Sequence, residues 1–459
     1  MLTDARQIIS LAWPVLVGQL AIIAFGVIDT AMVGRYCATD LAALGLGSSI
    51  YISVYIGLTG ILVALQPIAA QLFGAHRHAQ IGEEVRQSAW LAIILALPGC
   101  LLLYFPTPLL RIADAPPELN ERALAYLRIL SLGLPASLLF RLFSSLSNAV
   151  AKPRPVMLIQ LGGLILKVPL NALLIHGAFG LPALGGPGAA LASSIINWLS
   201  ALVGIVLLLR VDFYRQFAVF AQCSWPHWRQ QLALLKLGVP MGLSYLIEVT
   251  SYTFMALFIA RFGTTALAGH QITGNVSAVL YMTPLSIGIA TSTLVAQRLG
   301  AREFTAARTL SAHGIGLAAG IALLYATVII VMRPWLIAAY TPDPNVIATA
   351  MPLLTIVAGY HLCDALQITT AFALRAYRVA VVPTIIYAIA LWGVGLGGGY
   401  LAGFDPLHWM PAALTGARGF WYANTLSLAL AAAGLLVYWS SVSKRTHAPA
   451  SLDSKADHR

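Results

Sequence analysis

Apolar residues fall along this chain in long runs separated by short polar stretches. A helix needs about 20 mostly apolar residues to cross the hydrocarbon of a bilayer. Twelve stretches meet that length, at roughly 8–34, 42–72, 88–108, 121–149, 155–177, 187–210, 232–261, 265–297, 309–333, 345–374, 380–402 and 419–442. The longer ones are expected to tilt or to project past the membrane. Pro14, Pro67, Pro98, Pro135, Pro169, Pro240, Pro284 and Pro352 lie within them. Each removes a backbone donor and bends its helix, which spanning helices tolerate when neighbours re-satisfy the freed carbonyls. The first run follows Thr3, Asp4 and Arg6 and has no small-residue cleavage site, so it reads as a spanning helix rather than a removable leader.

The pattern repeats. LAWPVLVGQL (11–20) matches LGVPMGLSYL (237–246), and QPIAAQLFGA (66–75) matches STLVAQRLGA (292–301). Pro14 pairs with Pro240, Leu41 with Leu267, Tyr55 with Tyr281, Gln71 with Gln297, Gly74 with Gly300 and Gly133 with Gly359, always 226 residues apart. One ungapped register across four helices marks a duplication. Each half holds an even number of spans, so both halves face the same way about an axis along the membrane normal. The predicted class is an all-α membrane protein with twelve transmembrane helices in two six-helix lobes related by a pseudo-twofold axis. The expected division is 1–210 for the N-terminal lobe, 211–231 for a cytoplasmic linker, 232–442 for the C-terminal lobe and 443–459 for a polar tail.

Composition agrees with lipid as the solvent. Of 459 residues, 59% are hydrophobic and only 9% charged, with mean hydropathy +0.83; soluble domains carry about 25% charged residues. The net charge of +11 is a matter of topology. With the N-terminus cytoplasmic, 18 of the 27 Lys and Arg fall on that side, Arg375 among them, and six on the other. That bias fits the positive-inside rule, puts both termini in the cytoplasm and leaves no need for a nucleic-acid partner. Cys37, Cys100, Cys223 and Cys363 form no CxxC pair, so neither a disulfide framework nor a zinc site is expected. No GxxxxGK[ST] phosphate loop and no catalytic constellation occurs. An enzyme and an ATP-driven pump are therefore disfavoured, and no cofactor is expected.

Several motifs together resemble the multidrug and toxic compound extrusion (MATE) family, in its NorM branch. They are WPVLVGQL with VIDT in the first run, AQLFGA after the second, VPLN in the fifth, GxSYxxE from Gly242 to Glu248, LYMTPLSIG at 280–288 and AQRLGA after the eighth. The resemblance covers nearly the whole chain. It implies two lobes around a cleft, a bacterial inner-membrane location, and export of small organic cations in exchange for Na+ or H+.

Ionisable groups at mid-bilayer are expensive and mark function by default. Glu248 lies mid-span with Ser244, Tyr245, Ser251 and Tyr252 at i−4, i−3, i+3 and i+4, one helix face of oxygen donors. A hard cation such as Na+ wants such ligands, and a proton can use the same acid. Asp364 shares a face with His361 and Gln367. The resemblance makes Glu248 and Asp364 the coupling-cation site and places polar residues of the eighth span beside it, here Gln271, Asn275 and Tyr281; Tyr281 has Tyr55 as its repeat mate, so packing common to both halves is an equal reading. It makes Asp29 a substrate or proton site in the first lobe. Lys167 departs from the asparagine common in relatives. It neighbours Asn171 at i+4 and is expected to pair with Asp29. Phe25, Tyr245, Tyr252 and Met282 are candidate apolar contacts for a cationic drug, and the role of Arg141 is open. At the 226-residue offset Glu248 faces Ile22, Asp364 faces Leu138 and Asp29 faces Met255, so the fold is duplicated and the acids are not. The leading expectation is a monomeric drug/cation antiporter. The alternative is a flippase or exporter of a lipid-linked or narrower endogenous substrate on the same fold.

Overall fold

A computed structural model describes residues 2–113, 116–177, 182–222, 224–406, 408–411 and 414–445, with only the backbone of 111–113. Cys223 and residues 446–459 of the expected tail lie outside the described residues. The described residues hold no strand and twelve helices long and apolar enough to cross a membrane. These are α1 (Leu2–Tyr36), α2 (Ala38–Gly74), α3 (His78–Tyr104), α4 (Pro117–Ala149), α5 (Arg154–His176) and α6 (Gly186–Arg210). The second half holds α7 (Trp228–Ala260), α8 (Thr264–Gly300), α9 (Phe304–Tyr340), α10 (Pro344–Ala376), α11 (Val381–Phe404) and α12 (Gly416–Arg445). The chain is thus an all-α, multi-pass membrane protein.

Several helices begin well before their apolar runs. α3 starts at His78, ten residues ahead of the expected 88, because HAQIGEEVRQ is rich in strong helix formers although it is polar. Hydropathy marks the membrane-crossing part of a helix, whereas propensity and caps set its ends.

The duplication extends to helix ends and turns. α2 and α8 are offset by 226 residues at both termini. After α2, Ala75 N–H bonds Gln71 O, His76 N–H bonds Phe73 O and Arg77 N–H bonds Leu72 O. After α8 the same three bonds recur from Ala301, Arg302 and Glu303 to Gln297, Leu299 and Arg298. His76 and Arg302 both take a left-handed backbone, with φ of 57° and 62°. Each turn thereby satisfies the last carbonyls of its helix, which is the structural meaning of the repeated AQxxGA motif.

The halves differ where one residue differs. α2 is interrupted, running as Ala38–Leu62 and Leu65–Gly74. Pro67 cannot donate to the Val63 carbonyl, and Gln66 N–H bonds that carbonyl instead at 3.0 Å. The matching residue of the unbroken α8 is Thr293. α11 carries a ten-residue π-helical stretch, Ala388–Gly397. Its wide turns coincide with Gly393, Gly395 and Gly397, which present no Cβ. Further along, a Cβ on Gly399 or Gly403 would lie 2.7 or 2.3 Å from the Phe420 ring. The glycine-rich end of α11 is therefore where α12 presses closest.

The chain forms two compact units, one of Trp13–Leu246 and one of Met1–Ala12 with Ile247–Arg459. Their division falls within α1 and α7. Polar groups of the 211–231 stretch are bound to α3: Arg86 donates to Ser224 Oγ at 2.8 Å and to Ala218 O at 2.9 Å, and Gln87 donates to Trp225 O at 2.9 Å. The mixed charges of 75–87 thus fix local packing. In the first unit Val33, Leu44, Tyr126, Leu130 and Ile175 form a buried cluster. In the second, Met255, Ile259, Leu353, Phe420 and Trp421 form another.

Candidate functional site

Two polar constellations lie at membrane depth, one in each unit. In the second unit Asp364 is buried on α10. Gln367, one turn on, donates from Nε2 to Asp364 Oδ1 at 3.0 Å, and the Tyr387 hydroxyl from α11 donates to Gln367 Oε1. Glu248 on α7 is half-buried and accepts a hydrogen bond from Tyr281 of α8. Asp364 and Arg375 are its charged neighbours. Tyr360 interacts with both carboxylates and packs edge-on against Trp421, with ring centroids 5.4 Å apart. Two carboxylates in one low-dielectric site repel each other, so a cation or a proton shared between them lowers the energy of the pair.

Not every expected partner joins this cluster. The Ser244 hydroxyl donates to Pro240 O at 3.0 Å within its own helix, and Ser251 donates to Leu391 O at 3.3 Å in the π-helical stretch of α11. Their protons serve backbone carbonyls, as hydroxyls in spanning helices commonly do, so it is their oxygen lone pairs that would face a cation. Gln271 and Asn275 lie on an exposed side of α8. Gln271 precedes Tyr281 by ten residues, about 15 Å along a helix, and is not hydrogen-bonded to either acid among the described residues. His361 is buried against the Tyr325 ring, 5.8 Å between centroids, and Asp364 is not its hydrogen-bond partner. Arg375, counted from sequence with the cytoplasmic charges, is 5% exposed and lies over the Phe372 ring at 4.3 Å. Tyr360, Arg375 and Tyr387 are the members that sequence reasoning missed. An aromatic residue within an apolar run carries no local mark of its rotational setting. The described residues hold no group of three or more His, Cys, Asp or Glu suited to a metal ion.

In the first unit the expected ion pair is present. Lys167 Nζ lies 2.8 Å from Asp29 Oδ1, and Asn171 Nδ2 donates to the same oxygen at 2.7 Å. Lys167 also donates to Ser193 Oγ at 2.5 Å and to Ala189 O at 3.2 Å, both on α6. An ammonium has three donors, and here three acceptors meet them, which is what a lysine with 0% exposure requires. The spacing of Lys167 and Asn171 on α5 puts both on Asp29 of α1. A second buried acid, Asp40, went unremarked in the sequence. It pairs with Arg122 of α4 and accepts the Gly186 N–H at 2.8 Å, capping the start of α6.

Comparison with known proteins places this architecture. The MatE family model matches residues 14–173 and 240–401, two copies that begin 226 residues apart. The chain belongs to the MatE family. Among MatE relatives, it is 41% identical over 429 residues to the probable multidrug resistance protein NorM of Aromatoleum aromaticum, covering 94% of this chain and 92% of that one. It is 35% identical over 443 residues to the multidrug resistance protein PmpM of Pseudomonas aeruginosa, covering 96% and 92%. Solved MATE structures share the fold: the eukaryotic transporter AtDTX14 superposes with a TM-score of 0.86 at 17% identity, covering 97% of this chain and 98% of that one. The Vibrio cholerae transporter VcmN, in its bent form, gives 0.85 at 21% identity, with the same coverage. The two matches end in α5 and α11, so neither reaches the last helix of its half.

Proposed function

We propose that this MatE protein is a secondary active multidrug exporter of the bacterial inner membrane, antiporting organic cations against Na+ or H+ by alternating access, with both termini cytoplasmic. The observation that carries the reading is the Glu248–Asp364 pair: two acids from different helices, neighbours at membrane depth, held by Tyr281 and Gln367. The names of the relatives, multidrug resistance proteins, support the same direction.

In this reading Glu248 and Asp364 bind the coupling ion, for which their oxygens and the Tyr281 hydroxyl are hard donors. Gln367 and Tyr387 hold the Asp364 carboxylate in place. Asp29 supplies negative charge in the other unit, with Lys167 as a tethered counter-cation and Asn171 as its second donor. A cationic substrate that approaches Asp29 competes with Lys167. The protein works as a monomer without a cofactor.

The test is ethidium efflux from proteoliposomes under an imposed Na+ or H+ gradient, wild type beside Asp364→Asn. Efflux that requires one gradient and is lost in the variant supports the antiporter and identifies its ion. Absence of gradient-driven efflux in the wild type refutes export of this dye and favours a flippase on the same fold.

A further inference from the structure

The duplication assigns each residue of the carboxylate cluster a counterpart in the first unit. At the 226-residue offset Tyr281 corresponds to Tyr55, Gln367 to Arg141, Asp364 to Leu138 and Glu248 to Ile22. The first unit therefore keeps the tyrosine, loses both acids, and has a guanidinium where the second has an amide. The sign of the site is inverted.

Arg141 lies in the spanning part of α4. Its Nε is buried without a hydrogen-bond partner, and it forms no ion pair among the described residues. Other cations of this unit contrast with it: Lys167 has Asp29, Arg122 has Asp40 and Arg86 has Glu83. A guanidinium at membrane depth without a counter-charge is costly, and a ligand that brings negative charge removes that cost. The surroundings suit such a ligand. Tyr55 of α2 lies within the field of Arg141 and stacks on Tyr51, centroids 5.7 Å apart and planes 10° from parallel. Tyr51 is hydrogen-bonded to Ser137, one turn before Arg141 on α4. Guanidinium and phenol donors thus sit beside an aromatic pair.

We propose that Arg141 and Tyr55 form an oxyanion site that takes the carboxylate of a zwitterionic substrate. The guanidinium fork matches a carboxylate in a bidentate manner, and Tyr55 adds a hydroxyl donor. The stacked tyrosines offer apolar area that an inorganic anion cannot use and an organic acid can. This rests on the export reading and extends it. One unit would receive cationic groups at its acids, the other carboxylates at its arginine.

The test uses one rhodamine dye in two forms, the free carboxylate and its methyl ester, binding to purified full-length protein in detergent and followed by fluorescence polarisation. Arg141→Gln installs the residue of the other half. It should weaken the free acid about 10- to 100-fold, the worth of a charge-assisted pair, and leave the ester within about twofold. Arg141→Lys, which keeps the charge and loses the fork, should fall between. Tyr55→Phe should weaken only the acid. Equal loss for both dyes, or none, overturns the carboxylate site while leaving export intact. Wild-type protein that binds neither form overturns the export reading for this dye and this inference with it. Thermal protection by acetate alone that vanishes in Arg141→Gln, without dye discrimination, makes a free anion the occupant and overturns the substrate assignment.

Discussion

Replacing Lys167 by methionine tests whether the Asp29 pair is a strong, specific interaction. The side chain is wholly buried and donates to Asp29, Ser193 and Ala189, while the Asp29 side chain keeps 11% of its surface exposed. Removing one partner of a buried pair typically costs 3–5 kcal/mol, because the other charge is left uncompensated. Here Asn171 still donates to Asp29 at 2.7 Å, so the expected cost is at the low end, about 3 kcal/mol. Asp29→Asn strands the ammonium and should cost a similar amount. The double variant Asp29→Asn/Lys167→Met has no stranded charge and should lie within about 1–2 kcal/mol of wild type, the range for replacing a buried pair by apolar or neutral groups. The assay is a double-mutant cycle on the four purified proteins, by equilibrium unfolding in denaturing detergent. Single-variant costs that add to within about 0.5 kcal/mol show no coupling and refute the argument. A transport role is separate. Lys167→Asn should alter the pH dependence of dye efflux, and an unchanged profile leaves the pair with structure alone.

Three further outcomes follow from particular contacts. A Cβ on Gly133 would lie 2.7 Å from Ser194 Oγ and 2.9 Å from its Cα, whereas its repeat mate Gly359 has nothing within 4 Å; Gly133→Ala should destabilise by about 1–3 kcal/mol and lower the melting temperature, and Gly359→Ala should leave it unchanged or raise it. Asp40→Ala uncaps the α6 start, and Arg122→Ala leaves the wholly buried Asp40 without its counter-charge, so both should lower the melting temperature; an unchanged melting temperature for Asp40→Ala would count against the capping role. Tyr387→Phe deletes the hydroxyl that orients Gln367 toward Asp364, and should weaken coupling-ion affinity several-fold with a stability loss of about 1 kcal/mol, measured by the ion concentration that half-drives ethidium efflux.

The fold was legible because its determinants are local. Run length gave twelve spans, and the ends of α2 and α8 reproduce the 226-residue register seen in QPIAAQLFGA and STLVAQRLGA. Lone acids in apolar runs picked out Asp29, Glu248 and Asp364, because a charge in lipid needs a reason to be there. Lys167 and Asn171 were legible together because i and i+4 share a face.

What the sequence determined, then, is whatever depends on chain neighbours: spans, turns, duplication, and which charges are out of place. Tertiary structure decided which groups meet, since that depends on how each helix is rotated and on what packs beside it. Arg375 looks like one more cytoplasmic charge until α10 is seen to bury it near Glu248. Tyr387 is an ordinary aromatic until α11 turns it toward Gln367. Gly133 and Gly359 are identical in the repeat, yet only the first is pressed by a neighbouring helix. The polar groups of 211–231 carry no local mark of their partners, which the structure places on α3. A hydropathy run records that a side chain prefers lipid or protein to water, and only packing says which neighbour it finds there.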